Sequence, residues 1–98
     1  MKQYAPSILQ ETDCCYLCGR RDRKLDRHEV FPGSYRQKCK EDGLWVLLCH
    51  VPCHEGKDGA QYNPMIRRKL AEIAQRRAME VYGWTVADFR LRYGKNYL

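Results

Sequence analysis

The stretch CYLCG, residues 15–19, places two cysteines at the C-x2-C spacing that lets both thiolates reach one metal ion from a single turn of chain. Gly19 follows the second cysteine, where a backbone amide must approach a thiolate. After 30 intervening residues comes a second pair, at C-x3-C spacing. Two such turns complete a tetrahedral site. The sequence therefore predicts a structural zinc ion bound by Cys15, Cys18, Cys49 and Cys53.

The identity of the zinc ligands stays open at both ends. Cys14 could replace Cys15, which would change the first spacing to C-x3-C. At the other end, His50 or His54 could replace Cys53 and give a site of three cysteines and one histidine. Cys15 is favoured because C-x2-C is the commoner turn and leaves a glycine directly after the second ligand.

The short chain gives a physical reason to expect a bound metal that stabilises the fold. The 98 residues are predicted to form a single domain, 1–98, too short to bury a large apolar core without a further stabilising element. No stretch has the pattern of a secretory leader and no run of about eighteen apolar residues occurs, so the protein is expected in the cytoplasm, away from membranes. Thiols stay reduced there, which favours metal ligands over disulfides. Cys39 has no near partner and is predicted to take no part in the site.

Charge is unevenly distributed along the chain, whose formal net charge is +6. Residues 20–40 and residues 64–98 each contain eight basic and three acidic side chains, whereas residues 1–19 and 41–63 are net acidic. Basic surfaces attract phosphate backbones because binding releases condensed counterions. The two basic blocks favour nucleic acid as a partner, and the alternative is a charged face that serves solubility.

Hydrophobic patterning predicts an α+β fold. Residues 25–31 and 43–49 are predicted strands of a hairpin, joined by a long basic loop, 32–42. A helix is predicted to begin after Asn63, a good N-cap, and to end at Gly83. Its apolar stripe consists of Ile66, Leu70, Ile73, Ala74, Ala78 and Val81.

A second, shorter helix is predicted after Thr85, which with Asp88 gives a weak capping box. Val86, Phe89 and Tyr93 would form its inner face. The helical part of the chain therefore covers residues 63–98, and the strands belong to a smaller unit that the cysteine pairs bracket.

Several segments together resemble one family: RHEVFPG (27–33), RQK (36–38), EDGLWVLLC (41–49) and YGKNYL (93–98). With the flanking cysteine pairs, they are similar to the zinc-supported HNH endonucleases of the ββα-metal fold, and more closely to small HNH-type proteins of phages and prophages. The resemblance covers residues 14–98, of which 15–55 are the specific part. It implies a zinc-stabilised hairpin-helix core, residues 14–58, with a helical C-terminal half.

The resemblance implies a hydrolase that cuts DNA phosphodiester bonds by attack of water. It assigns a catalytic divalent ion, Mg²⁺ or another, to His28 and His54, and the role of general base to Glu29. The family usually has histidine at the base position, so the roles of His28 and Glu29 could be exchanged. The family's middle asparagine is absent, with Asp42 as the nearest substitute. Phosphate contacts would come from Arg27, Arg36, Lys38 and Lys40.

Two other functions share the predicted zinc and basic charge. A zinc-stabilised nucleic-acid-binding module could keep the fold with weak or no catalytic activity. A protein-binding module could use aromatic side chains of the helical half, such as Tyr62, Tyr82 and Tyr97. An HNH-type endonuclease in a bacterial or phage-infected host cell is the function that the sequence favours.

Overall fold

The structure is a computed structural model that describes residues 4–56, 59–60 and 62–98. It is a small α+β fold, as predicted, with a two-stranded antiparallel sheet. The predicted core boundary at residue 58 lies outside the described residues. The described strands are β1, Leu25–Glu29, and β2, Trp45–Cys49, and the described α-helices are α1, Arg36–Asp42, α2, Pro64–Tyr82, and α3, Val86–Tyr93.

The two strands pair in register, with His28 opposite Val46. Successive side chains of a strand alternate between its faces, so Asp26 and His28 share one face while Arg27 and Glu29 share the other. Val46 is fully buried, which identifies the face of Asp26 and His28 as the one turned towards the core. Each strand is two residues shorter at its hairpin end than predicted.

Residues 32–42 are not the loop that the sequence predicts. A 3-10 turn, Gly33–Tyr35, leads directly into α1. The Pro-Gly pair and the high charge suggest a loop, but RQKCKED contains no β-branched residue, glycine or proline that would oppose a helix. Tertiary packing then selects the helix, because Cys39 is fully buried and its Sγ lies 3.7 Å from the carbonyl oxygen of Phe31.

Both C-terminal helices begin where predicted, and α2 ends at Gly83 as predicted. Asn63 Oδ1 accepts hydrogen bonds from the backbone amides of Met65 and Ile66 at the start of α2. Thr85 and Asp88 form the capping box of α3, each side chain bonding to the backbone amide of the other. None of the described helices has both the length and the apolar character needed to cross a membrane.

The inner faces of these helices differ from the prediction at the turn between them. Leu70, Ala74 and Ala78 of α2 are buried as expected. Val81 and Val86 are exposed to 42% and 37%, so assigning them to the inner faces was wrong. They occupy the last turn of α2 and the first turn of α3, on either side of the turn at Gly83.

An aromatic cluster joins the end of β1 to the C-terminal residues. The ring of Phe31 lies 5.5 Å from that of Phe89, 4.8 Å from Tyr93 and 5.2 Å from Tyr97, measured between centroids. Rings at such distances gain interaction energy beyond the area that they bury. The strand that carries His28 is therefore packed at its end against α3 and the segment that follows it.

Residues 4–9 lie outside the predicted core, yet they pack along the sheet. Trp45 Nε1 donates a 2.8 Å hydrogen bond to the Ala5 carbonyl, and Ser7 Oγ donates a 2.6 Å hydrogen bond to the Trp45 carbonyl. Gly43 ends α1 with φ +73°, and a Cβ built there would collide with the carbonyl oxygen of Pro6. Only glycine fits this position, because both the backbone angle and the close approach exclude a side chain.

We expect Gly43→Ala to destabilise the fold more than Gly83→Ala. Both glycines follow a helix with positive φ, so each alanine costs about 1 kcal/mol or more in backbone strain. At Gly83 no atom lies within 4 Å of the added Cβ, whereas at Gly43 it meets backbone. Urea unfolding should show a loss roughly 1–3 kcal/mol larger for Gly43→Ala. Equal losses would contradict the observed packing of the N-terminal segment.

Candidate functional site

The four cysteines predicted to bind zinc converge at one end of the hairpin. Their Sγ atoms all lie within 4.8 Å of one another, and those of Cys18 and Cys49 are 3.8 Å apart. Sulfurs arranged tetrahedrally at about 2.3 Å from zinc are separated by roughly 3.8 Å, so the cluster fits this ion. The cluster can hold a metal such as zinc, and it consists of Cys15, Cys18, Cys49 and Cys53.

The first turn of this cysteine cluster directs backbone amides at a sulfur. The amide of Cys18 lies 3.5 Å from Cys15 Sγ, and the amide of Gly19 donates a 2.8 Å hydrogen bond to the Cys15 carbonyl. Burial alone would raise the pKa of the Cys15 thiol, but the amides around its sulfur outweigh burial and lower that pKa to about 6. Burial and the neighbouring thiols raise the pKa of Cys53. Crowded thiols of this kind release protons when they bind a cation.

Two cysteines lie outside the cluster. Cys14 Sγ is 3.2 Å from Thr12 Oγ1, so the structure brings Cys15, and not the alternative Cys14, to the other three sulfurs. Cys39 is fully buried in the core. Burial raises the pKa of its thiol to about 12, which makes it unreactive.

Asp26 connects the two histidines of the turn that carries Cys53. Its Oδ2 accepts hydrogen bonds from Nδ1 of His50 at 2.6 Å and Nδ1 of His54 at 2.8 Å. Burial alone would raise the pKa of Asp26, but these hydrogen bonds outweigh burial and lower it. A carboxylate at Nδ1 fixes the tautomer of a histidine and leaves Nε2 free to bind a ligand. Nδ1 of His50 also lies 3.0 Å from Glu55, so His50 is held between two carboxylates.

His28 and His54 meet beside a cavity of about 390 Å³, with ring centroids 5.2 Å apart and planes at 69°. Burial, and after it the charge of His54, lowers the pKa of His28 to about 4. The ring is therefore neutral at pH 7 and has a free lone pair. We call this space the histidine cavity, and it is lined by Tyr4, Arg27, His28, Glu29, Val30, Pro32, Arg36, His54, Ala60 and Arg67.

Glu29 is the last residue of β1 and reaches the histidine cavity from the face of the strand opposite to His28. Its Oε1 accepts a 3.0 Å hydrogen bond from the hydroxyl of Tyr4. Burial, followed by this bond, raises the pKa of Tyr4 to about 12, so the phenol stays protonated and donates. The Arg27 guanidinium lies 4.5 Å above the same ring. Tyr4 thus contacts both Glu29 and Arg27.

The predicted phosphate-binding residues divide into two groups. Arg27 and Arg36 line the histidine cavity, whereas Lys38 and Lys40 do not. Lys38 Nζ instead donates a 3.0 Å hydrogen bond to a backbone carbonyl of α3, and Lys40 Nζ lies 5.2 Å from the ring centroid of Tyr4. Because α1 is a helix and not an extended loop, its basic side chains point in several directions.

Asp42, the nearest substitute for the family's asparagine, does not line the histidine cavity. It is nearly buried and accepts a 2.9 Å hydrogen bond from Arg92 and a 2.6 Å bond from the hydroxyl of Tyr93. Its backbone carbonyl accepts a 2.6 Å bond from the hydroxyl of Tyr82. Burial and the bond to Asp42 raise the pKa of Tyr93. Asp42 therefore connects α1 to the C-terminal helices.

Three residues of the site are absent from the sequence-based prediction: Tyr4, Asp26 and Arg67. Asp26 lies two residues before His28, so strand alternation places it on the same face and could have identified it. Tyr4 and Arg67 have no local signal, because they reach the histidine cavity from distant parts of the chain. In the sequence Arg67 is one of several arginines on the polar face of a predicted helix.

Known proteins do not identify this arrangement. Comparisons with protein-family models, with curated proteins and with solved structures each found no match. The basis for assigning a function is therefore the geometry and charge of the cysteine cluster and of the histidine cavity.

The thiols should report directly on the cysteine cluster. Of the six free cysteines, four belong to the cluster and Cys39 is buried, which leaves Cys14. In protein that contains zinc, we expect one rapidly reacting thiol in a colorimetric thiol assay, and none in Cys14→Ser. Removal of zinc with a chelator should expose the other four. Two or more fast thiols, or far less than one zinc per chain by elemental analysis, would contradict the site.

Asp26→Asn should release His54 without removing zinc. The variant removes the carboxylate that accepts from His54 Nδ1, so the His54 ring should no longer be held in the Nδ1-protonated tautomer, whereas His50 keeps Glu55. Imidazole ¹⁵N chemical shifts measure the tautomer, and elemental analysis measures the zinc. Asp13→Asn is the matched control, because Asp13 is exposed. An unchanged tautomer in Asp26→Asn would show that the carboxylate does not position His54.

Proposed function

We propose that this protein is a zinc-stabilised, metal-dependent endonuclease of the HNH type that hydrolyses DNA phosphodiester bonds. The observation that carries the proposal is the histidine cavity, where His28, Glu29 and His54 meet three arginines. Two imidazoles, one carboxylate and clustered guanidinium groups are the components that metal-assisted phosphodiester hydrolysis requires. The resemblance of the sequence to the ββα-metal family leads to the same reaction.

The catalytic divalent ion would be held by His28 and His54. Both rings line the histidine cavity, and the lowered pKa of His28 keeps its lone pair available. Within the described residues no third histidine, cysteine or acidic side chain completes a ligand set with this pair, so water and phosphate oxygens would fill the other positions. A bound ion supplies charge stabilisation and a more acidic water. Imidazole ligands favour later transition-metal ions such as Co²⁺ or Ni²⁺ over Mg²⁺.

Glu29 is the better candidate for the general base. His28 is taken as a ligand of the divalent ion, so its lone pair is not available to accept a proton from water. Glu29 has one oxygen hydrogen-bonded to Tyr4, and its Oε2 accepts no hydrogen bond from a described residue. Tyr4 would orient the carboxylate, and Oε2 would take the proton from water. This assignment keeps the order that the family resemblance implies.

Arg27, Arg36 and Arg67 would hold the phosphodiester. They come from β1, α1 and α2, so they approach the histidine cavity from three elements. Guanidinium groups bind phosphate oxygens with two parallel hydrogen bonds, which fixes the position of the phosphate as well as its charge. None of these contacts requires a particular base.

A nucleic-acid-binding module without catalysis is the second candidate. Two observations favour it: Tyr4 already occupies one oxygen of Glu29, and Asp42 lies in a structural network away from the histidine cavity. Such a module would keep zinc, the fold and affinity for DNA. It would differ from the endonuclease only in the absence of cleavage.

Nicking of supercoiled plasmid DNA tests the proposed function. Wild-type protein should cut with at least one of Mg²⁺, Mn²⁺, Co²⁺ and Ni²⁺. His28→Ala, His54→Ala and Glu29→Gln should each lower the cleavage rate by about 100-fold or more, because each removes a metal ligand or the base. Glu80→Gln is the matched control, since Glu80 is an exposed acidic residue of α2.

Zinc content and unfolding curves should match wild type in every variant, which separates catalysis from folding. Cleavage that persists in both His28→Ala and Glu29→Gln would place the activity outside the histidine cavity. Binding of DNA with no cleavage under any of the four metals would support the second candidate and contradict the first.

A further inference from the structure

A second cavity of about 320 Å³ adjoins the histidine cavity. The two share Val30, Pro32 and Arg67 in their walls, so they lie next to each other. Arg67 faces both spaces from the second turn of α2. The second cavity is lined by Val30, Phe31, Pro32, Pro64, Arg67, Arg68, Ala71, Lys95 and Tyr97.

The charged side chains that line the second cavity are all basic among the described residues: Arg67, Arg68 and Lys95. Arg68 is partly neutralised by Glu72, whose Oε2 lies 3.2 Å from its Nε. Arg67 and Lys95 have no such ion pair within the described part of the chain. Both are exposed, so their charges can meet a ligand at little cost in structure.

Buried contacts fix the segment that carries Lys95. Gln75 of α2 is fully buried, accepts a 2.7 Å hydrogen bond from the amide of Tyr97 and donates a 2.8 Å bond to Asn96 Oδ1. The ammonium of Lys95 lies 5.4 Å from the centroid of the Tyr97 ring. Arg68 donates a 2.9 Å hydrogen bond to the Tyr97 carbonyl. The backbone next to Lys95 and the guanidinium of Arg68 are therefore held in place before any ligand binds.

We propose that the second cavity binds the DNA backbone next to the phosphate held in the histidine cavity, with Arg67 spanning both positions. This inference rests on the proposed function, because it takes the histidine cavity as the place of cleavage. A polyanion suits the site better than a small anion, since the basic groups extend along two adjoining cavities. Contacts from Arg67 and Lys95 would fix the strand without reading bases.

Salt dependence of DNA binding tests this proposal. Fluorescence anisotropy with a labelled duplex of about 20 base pairs, without added divalent metal, measures the Kd for DNA. The measurement is repeated at NaCl concentrations from about 50 to about 200 mM. Each lost phosphate contact should reduce the slope of log Kd against log salt concentration by about 0.9. Arg67→Ala and Lys95→Ala should each show this reduction and bind about tenfold more weakly at low salt. Arg67→Lys should keep most of the slope, because it keeps the charge.

Arg76→Ala is the matched control. Arg76 is exposed on the same helix, nine residues further on, which places it about 13 Å away along the axis and on the opposite face. Arg76→Ala loses the same charge, but Arg76 lines neither cavity. The slope of log Kd against log salt concentration should therefore equal that of wild type. A slope in Lys95→Ala equal to that in Arg76→Ala would overturn the proposal, because Lys95 lines the second cavity and not the histidine cavity.

Cleavage by the wild-type protein separates this inference from the proposed function. If plasmid is cut but Arg67→Ala and Lys95→Ala keep the wild-type slope, the endonuclease stands and the second cavity does not bind the backbone. If no metal supports cleavage but both slopes fall, the second cavity binds DNA and the catalytic proposal fails. Arg67→Gln repeats the test with a polar side chain that is longer than alanine but has no charge. Unfolding curves confirm that each variant is folded.

Discussion

Four cysteine sulfurs packed within a few ångströms of one another impose the constraint on which the rest of this small fold depends. Two sulfurs come from a turn before β1 and two from the end of β2 and the turn after it, so one cation bound there would tie both ends of the hairpin together. Such a tie offsets the limited apolar area of a short chain. It would also fix the position of the turn, residues 50–54, that presents His54.

Asp26 connects the cysteine cluster to the histidine cavity through hydrogen bonds. It belongs to β1, and it holds His50 and His54 of the turn that contains Cys53. On the other side, Tyr4 holds Glu29 and Arg27, and the aromatic cluster around Phe31 holds the end of the strand. The side chains of the histidine cavity are thus positioned by several elements, which suits a site that must place groups accurately.

Local chemistry made part of this arrangement predictable. The cysteine spacings, the caps at Asn63 and Thr85, and the apolar run of β2 depend on neighbouring residues, so the sequence alone indicates them. The helix α1 was missed because burial of Cys39, a tertiary effect, outweighs the Pro-Gly signal before it. Tyr4 and Arg67 were missed for a related reason: only the folded chain brings residues so far apart in sequence to one cavity.

The position of Trp45 gives the molecule an internal optical reporter. The chain has two tryptophans, and Trp45 pairs across the sheet with Glu29, with its ring 5.4 Å from Tyr4 and 5.3 Å from the Arg27 guanidinium. Trp84 packs against Tyr82 at 4.9 Å, at the turn between α2 and α3. Fluorescence from Trp45 should therefore respond to charges that enter the space beside Arg27, while Trp84, which does not line the histidine cavity, adds a constant background.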